Sequence, residues 1–143
     1  ILIINGAKDE EVPLAGGMLT TIAAAQQLPI GVAIDATSVY WSSALAGTIN
    51  KAPLGGGMAT IIASPNNNPA WLAVDGSHIY VSTLGDGMPS SFVQRAPIAG
   101  GMVQTLAQQQ TSPQRVALDK TNVYWAESGA DMMANGSIQS LPK

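Results

Sequence analysis

The sequence predicts an all-β chain built from about three copies of one four-stranded antiparallel unit, and three observations carry that expectation. The first is internal repetition. VPLAGGMLTTIA from Val12, APLGGGMATIIA from Ala52 and APIAGGMVQTLA from Ala96 line up, and each leads to a second block: PIGVAIDATSVYW from Pro29, PAWLAVDGSHIYV from Pro69 and PQRVALDKTNVYW from Pro113. Met18, Met58 and Met102 stand 40 and 44 residues apart, and so do Pro29, Pro69 and Pro113, Asp35, Asp75 and Asp119, and Tyr40, Tyr80 and Tyr124. Self-similarity at a fixed period marks a repeat architecture. The second observation is that the apolar residues fall in short runs rich in β-branched and aromatic side chains, bounded by turn residues. The third is that no helical period survives over a long window, and prolines recur where they would break helices.

Taken in chain order, residues 1–17 contain ILIING and EEVPL, which read as the later strands of a shortened preceding repeat. Repeats then run over 12–51, 52–95 and 96–143 within a single segment, 1–143. In the first set, VAID, VYWSS, TINKAPL and ATIIA are four candidate strands. The tetrads Asp-Ala-Thr-Ser, Asp-Gly-Ser-His and Asp-Lys-Thr-Asn form tight turns, because an Asp carboxylate accepts from the backbone N–H groups that follow it. The Gly-Gly pairs form a second turn, since glycine adopts positive φ without steric cost. The four residues by which the spacings differ fall in LGDGMPSS, a loop. SIQSLPK at 137–143 stops where earlier copies continue into Gly-Gly-Met, so the last repeat reads as truncated.

Four strands in about 40–45 residues is the size of one β-propeller blade. The pattern Pro-x-x-Val/Leu-Ala-x-Asp, then Val/Ile-Tyr-Trp/Val, then a strand leading to Pro-Leu/Ile-x-Gly-Gly resembles the six-bladed propellers of the NHL and YWTD (low-density-lipoprotein-receptor type) families, from about residue 12 to 142. It departs from YWTD where Thr-Asp would follow Tyr-Trp: here stand Ser42-Ser43, Ser82-Thr83 and Ala126-Glu127, and Val81 replaces one Trp. Three open blades would leave apolar faces and strand edges in water. The expected partner is therefore a second copy, two chains closing a six-bladed ring with twofold symmetry. The alternative is the remainder of a longer propeller, and an opening Ile1 in place of Met suits either a removed leader or a piece of a longer polypeptide.

Composition narrows function. Of the residues 46% are hydrophobic and 10% charged, and the net charge is −3. Ordinary soluble domains are roughly 25% charged. No basic footprint for a nucleic acid is present. Cysteine is absent, which removes disulfides and thiolate metal sites or nucleophiles. The uncharged stretches Val12–Ile34 and Ala52–Val74 carry glycine pairs, glutamines, asparagines and prolines that a lone lipid-embedded helix would not tolerate, so no transmembrane segment is expected.

The candidate chemistry is sparse. Asp75, Ser77 and His78 hold every residue type of a hydrolytic triad, but they occupy the same turn as Asp35-Ala-Thr-Ser and Asp119-Lys-Thr-Asn, and neighbours on a strand point to opposite faces. His78 is the only histidine, which leaves no histidine-rich zinc site. The Gly-Gly-Met segments lack the Lys-Ser/Thr of a phosphate loop. Asp35, Asp75 and Asp119 are isolated on different repeats, and Glu127–Asp131 offers two acids, against the six to eight oxygens calcium takes. No catalytic residue, metal or cofactor is therefore expected. Tyr40, Tyr80 and Tyr124 are expected to pack between blades, Trp41 and Trp125 to be packing residues too, and the three Met to fill gaps between sheets. Asn135-Gly136-Ser137 matches a glycosylation acceptor.

The repeats disagree at one informative place. Two positions after the recurring proline stand Gly31, Trp71 and Arg115, and one position after it Ile30, Ala70 and Gln114. The resemblance puts these at the start of the innermost strand, beside a central channel. Trp71, Arg115 and Gln114 are the candidate ligand-binding residues, an aromatic plate and a guanidinium suited to a sugar or a peptide carboxylate. The alternative is that Trp71 fills space beside small neighbours and Arg115 pairs with an acid. Two functional classes follow: a non-catalytic module for recognition or assembly that is secreted, periplasmic or on the cell surface, carbohydrate-binding in one version; or a fragment of a propeller hydrolase or lyase.

Overall fold

The computed structural model describes residues 18–65, 67–85, 90–128 and 135–143. The partial repeat over 1–17, the middle of the LGDGMPSS loop and the end of the Glu127–Asp131 stretch lie outside those residues.

Eleven strands form three antiparallel sheets among the described residues, which are not closed into a barrel. Sheet 1 holds β1 (Pro29–Ile34), β2 (Ser38–Ser43), β3 (Thr48–Pro53) and β4 (Thr60–Ala63). Sheet 2 holds β5 (Pro69–Val74), β6 (His78–Thr83), β7 (Ser91–Pro97) and β8 (Gln104–Gln110). Sheet 3 has three strands, β9 (Pro113–Leu118), β10 (Asn122–Glu127) and β11 (Ser137–Pro142). Within each sheet consecutive strands are neighbours. Each sheet begins at the recurring proline, so the repeats as aligned straddle two sheets: the Gly-Gly-Met block leads into the outer strand of one sheet and the proline block opens the next.

The β1–β2 turn and its two counterparts are held by the aspartates. Asp35 Oδ1 accepts from the N–H of Thr37 (2.7 Å) and of Ser38 (2.8 Å). Asp75 does the same for Ser77 and His78, and Asp119 for Thr121 and Asn122. The Gly-Gly turns have the expected positive φ, at Gly56 and Gly57 and again at Gly100 and Gly101.

Stacking follows from alternation along the strands. Tyr40 and Ile49 face sheet 2 and pack with Leu72, Ile79, Val81 and Ala96. Tyr80 and Val93 face sheet 3 and pack with Val123 and Trp125. The other face of sheet 1, with Val39, Trp41 and Ala52, is covered by Ile22 and Ala23. Tyr40, Tyr80 and Trp125 are thus buried between sheets, whereas Trp41 is buried on the other face of sheet 1 and Tyr124 is only half-buried. The methionines do not fill gaps between sheets. Met18, Met58 and Met102 are 95%, 86% and 91% exposed, and Met58 and Met102 lie in the turns before β4 and β8, beyond the reach of the neighbouring sheet. Among the described residues no helix is long and apolar enough to cross a membrane.

Candidate functional site

The first strands of the three sheets, β1, β5 and β9, lie side by side where the sheets converge. Gly31 is obligatory there. A β-carbon at this position would run into the Ala70 carbonyl oxygen of the next sheet. A serine on the second strand clips each such junction. The Ser42 hydroxyl donates to the Ala70 carbonyl (2.7 Å) while accepting from the N–H of Gly31 (2.9 Å), and the Ser82 hydroxyl donates to the Gln114 carbonyl (2.9 Å). Both serines are fully buried. At the third such position stands Ala126, which has no hydroxyl.

These strands line a cleft of about 260 Å³ bounded by Ile30, Gly31, Val32, Trp71, Leu72, Arg115 and Val116. The Arg115 guanidinium lies over the Trp71 ring, 4.5 Å from its centroid, a cation–π contact. Trp71 is half-buried, and its Nε1 is shielded from solvent without a hydrogen-bond partner among the described residues. A buried donor left unpaired costs on the order of 1–3 kcal/mol. Arg115 is exposed, and the one ion pair among the described residues joins Lys143 to Asp75 (3.0 Å), elsewhere. The structure therefore brings Trp71 and Arg115 together. Gln114 is turned aside, its Nε2 donating to Ser112 O (3.2 Å) and Oγ (3.1 Å).

The remaining candidates are engaged structurally. Ser77 Oγ lies 3.0 Å from Asp75 Oδ1 and 2.8 Å from His78 Nδ1. The contact between Ser77 and His78 departs from the opposite-face expectation because the strand begins only at His78. The serine sits between acid and imidazole, whereas a triad needs the imidazole between acid and serine. Thr37 and Thr121 bond Asp35 and Asp119 in the same way. Hydrogen bonds hold all three aspartates well below the usual carboxylate range. For Asp35 and Asp119 the largest cause is the hydroxyl of Tyr40 or Tyr124. For Asp75 burial opposes the shift, and the N–H groups of Ser77 and His78 with Lys143 outweigh it.

A second, polar groove of about 320 Å³ is lined by Gln109, Gln110, Thr111, Glu127, Asn135, Ser137 and Gln139. Sequence reasoning does not single it out, since neutral amides carry no motif. Glu127 is already bonded there, accepting from Trp125 Nε1 (2.9 Å) and from the Thr111 N–H (2.7 Å). Among the described residues no group of three or more His, Cys, Asp or Glu gathers as a metal site.

No protein-family model matches the chain, and no curated protein matches its sequence. Solved structures do. One is a chain of a nidogen/laminin complex, with a TM-score of 0.67 and 24% identity over 80% of this chain and 44% of that one. Another is the computationally designed Ika4 protein, with a TM-score of 0.66 and 19% identity over 89% of this chain and 73% of that one. A third is the computationally designed Ika8 protein, with a TM-score of 0.56 and 16% identity over 70% and 30%. The chain thus spans less than half of the nidogen/laminin chain it resembles. At these identities the likeness shows the fold: stacked, blade-like antiparallel sheets.

Proposed function

We propose that this chain is a non-catalytic recognition and assembly module of the β-propeller type, in the NHL/YWTD class, working outside the cytoplasm and binding its ligand at the Trp71–Arg115 cleft. The observation that carries the reading is the exposed guanidinium held over an indole, with no acid paired to it among the described residues. An indole face stacks on the apolar face of a sugar ring, and a guanidinium takes a carboxylate in a bidentate grip. The ligand class is therefore an acidic sugar or a peptide carboxylate. The low charge of the chain and the likeness to a chain of a nidogen/laminin complex support a role in association rather than turnover.

The test is a glycan-array screen together with peptides ending in a free carboxylate, followed by titration of tryptophan emission. Trp71→Ala and Arg115→Ala should each weaken the captured ligand at least about tenfold, on the order of 1.4 kcal/mol, with the circular dichroism spectrum unchanged. Unaltered affinity in both variants would make the pair packing and overturn the site.

A further inference from the structure

We infer that the Trp71–Arg115 cleft captures the free C-terminus of a peptide that ends in an aliphatic residue. This rests on the cleft being the binding site, and it names what the cleft takes. The guanidinium decides the charge of the ligand. Among the described residues Arg115 enters no ion pair and no side-chain hydrogen bond. The other arginine, Arg95, is already engaged, its Nε donating to Gln104 Oε1 (2.9 Å). Arg115 is positioned instead by the indole ring, 4.5 Å from its centroid. A guanidinium stacked on a ring keeps the N–H donors of its edge, and that edge matches the two oxygens of a carboxylate.

The surroundings choose among carboxylates. The indole face that Arg115 covers is closed to a sugar ring, and Nε1 is shielded from solvent. Trp71 is thus a platform for the cation. The other side chains that line the cleft are those of Ile30, Val32, Leu72 and Val116, none of which carries a hydrogen-bonding group. A sugar acid would bury hydroxyls against them unpaired, which is unfavourable. The amide and hydroxyl side chains that such a ligand needs line the other groove, at Gln109, Gln110, Thr111 and Gln139. An aliphatic side chain gains by leaving water here. At about 260 Å³ the cleft lies below the roughly 300–1,000 Å³ of pockets that enclose a drug-sized molecule. It has room for the end of a chain.

The main chain favours a peptide over a free fatty acid. β1, β5 and β9 are each the edge strand of a sheet, and they converge at the cleft. An edge strand presents N–H and C=O groups that no strand of its own sheet pairs. Ser42 and Ser82 claim the Gly31 N–H and the Ala70 and Gln114 carbonyls. The groups left over suit the amides of an extended peptide, which pairs with a sheet edge as a strand does. A fatty acid has no amide to offer them.

The probe is acetyl-Gly-Gly-Leu with a free carboxylate, titrated calorimetrically into the full chain. Beside it stand the same peptide as a C-terminal amide, the peptide ending in Ser, isocaproate and glucuronate. The acid ending in Leu should bind best. The amide should be at least about tenfold weaker and the Ser peptide about fivefold weaker, from lost charge-assisted bonds and lost apolar contact. Isocaproate keeps the carboxylate and the branched chain without the amides, and it and glucuronate should each be at least about fivefold weaker. Arg115→Lys keeps the charge without the fork and should lower affinity for the Leu peptide at least about fivefold, with an unchanged circular dichroism spectrum. An amide as tight as the acid, isocaproate as tight as the peptide, or no uptake of the acid at about 1 mM would each overturn the inference. Glucuronate held more tightly than the peptide and lost in Arg115→Ala would keep the cleft and overturn its peptide ligand. Peptide held equally well by Trp71→Ala and Arg115→Ala would overturn the cleft itself, so the two readings fail separately.

Discussion

The junction between sheets 1 and 2 and the far face of sheet 3 are written in nearly the same residues and end in opposite environments. Tyr40 and Ile49 are 0% and 1% exposed. Their counterparts Tyr124 and Ile138 are half-buried and 77% exposed. The difference lies in what comes next in the stack, since sheet 2 covers the first pair and no described sheet covers the second. In a repeat protein the apolar pattern is written for the array, and burial is conferred by the neighbour. Tyr124 and Ile138 thus repeat the residues that sheet 2 covers in Tyr40 and Ile49, with no described sheet upon them.

The largest effect that sharpens this contrast is side-chain truncation. Ile49→Ala should cost about 2–4 kcal/mol of unfolding free energy, from lost burial and a residual cavity. Ile138→Ala, in chains diluted to single particles, should change it by less than about 0.5 kcal/mol. Urea denaturation with tryptophan emission checks both. Equal costs would mean that the far face of sheet 3 is covered.

Next is the serine clip. Ser42→Ala removes a buried hydroxyl that serves the Gly31 N–H and the Ala70 carbonyl together, and should cost about 1–2 kcal/mol. The reverse change, Ala126→Ser, should leave a single chain within about 0.5 kcal/mol of the parent, because no described sheet lies beside it to accept its bond.

The titrations separate the same two regions. Hydrogen bonding lowers all three aspartates, so their contribution is complete above the unfolded carboxylate range near about 3.9. It is lost as pH falls through the lowered native values, and thermal stability should drop progressively below about pH 4. At the alkaline end burial, reinforced by the Asp35 carboxylate, pushes Tyr40 up to about 12. An unfolded tyrosine ionises near about 10. The stability this provides is therefore complete below pH 10 and lost between about 10 and 12. Tyr40→Phe should flatten that alkaline loss more than Tyr124→Phe does, as read by melting temperature against pH.

The smallest effect lies at the entry to each sheet. Leu28, Asn68 and Ser112 precede the recurring prolines and all adopt left-handed φ, at 53°, 51° and 56°. Their carbonyls accept from Ala44, Leu84 and Ser128, which ties each entry to the end of the second strand. Asparagine tolerates that conformation better than leucine. Leu28→Asn should therefore stabilise the chain by up to about 1 kcal/mol, by analogy with relieving strain at a special φ.

Much of this was legible in the residues. VAID, VYWSS, TINKAPL and ATIIA fall on β1 to β4, and the Asp tetrads and Gly-Gly pairs fall on turns, because strand and turn preferences are local and the repeat states each of them three times. The methionines misled because a recurring apolar residue reads as core, whereas the place of Met58 and Met102 in turns keeps them from the neighbouring sheet. The last repeat reads as truncated and sheet 3 accordingly has three strands among the described residues, but the Ser42 clip was not readable. It depends on how one sheet lies on another, and Ser42 differs from Ala126 by one oxygen whose partner is 28 residues away. At the candidate site, Trp71 and Arg115 stood out because the copies differ there. Gln114 stood out for the same reason, but its amide is claimed by its own turn.

The most direct measurement uses the absence of native thiols. Ile49→Cys, Val93→Cys and Ile138→Cys are made singly, diluted to single chains, and their rates of reaction with a thiol reagent compared. The account predicts reaction at Ile138→Cys close to that of a free thiol, and rates at the other two lower by at least about a hundredfold, as burial under a neighbouring sheet requires. Three similar rates would contradict a stack whose position, rather than its sequence, decides what is buried.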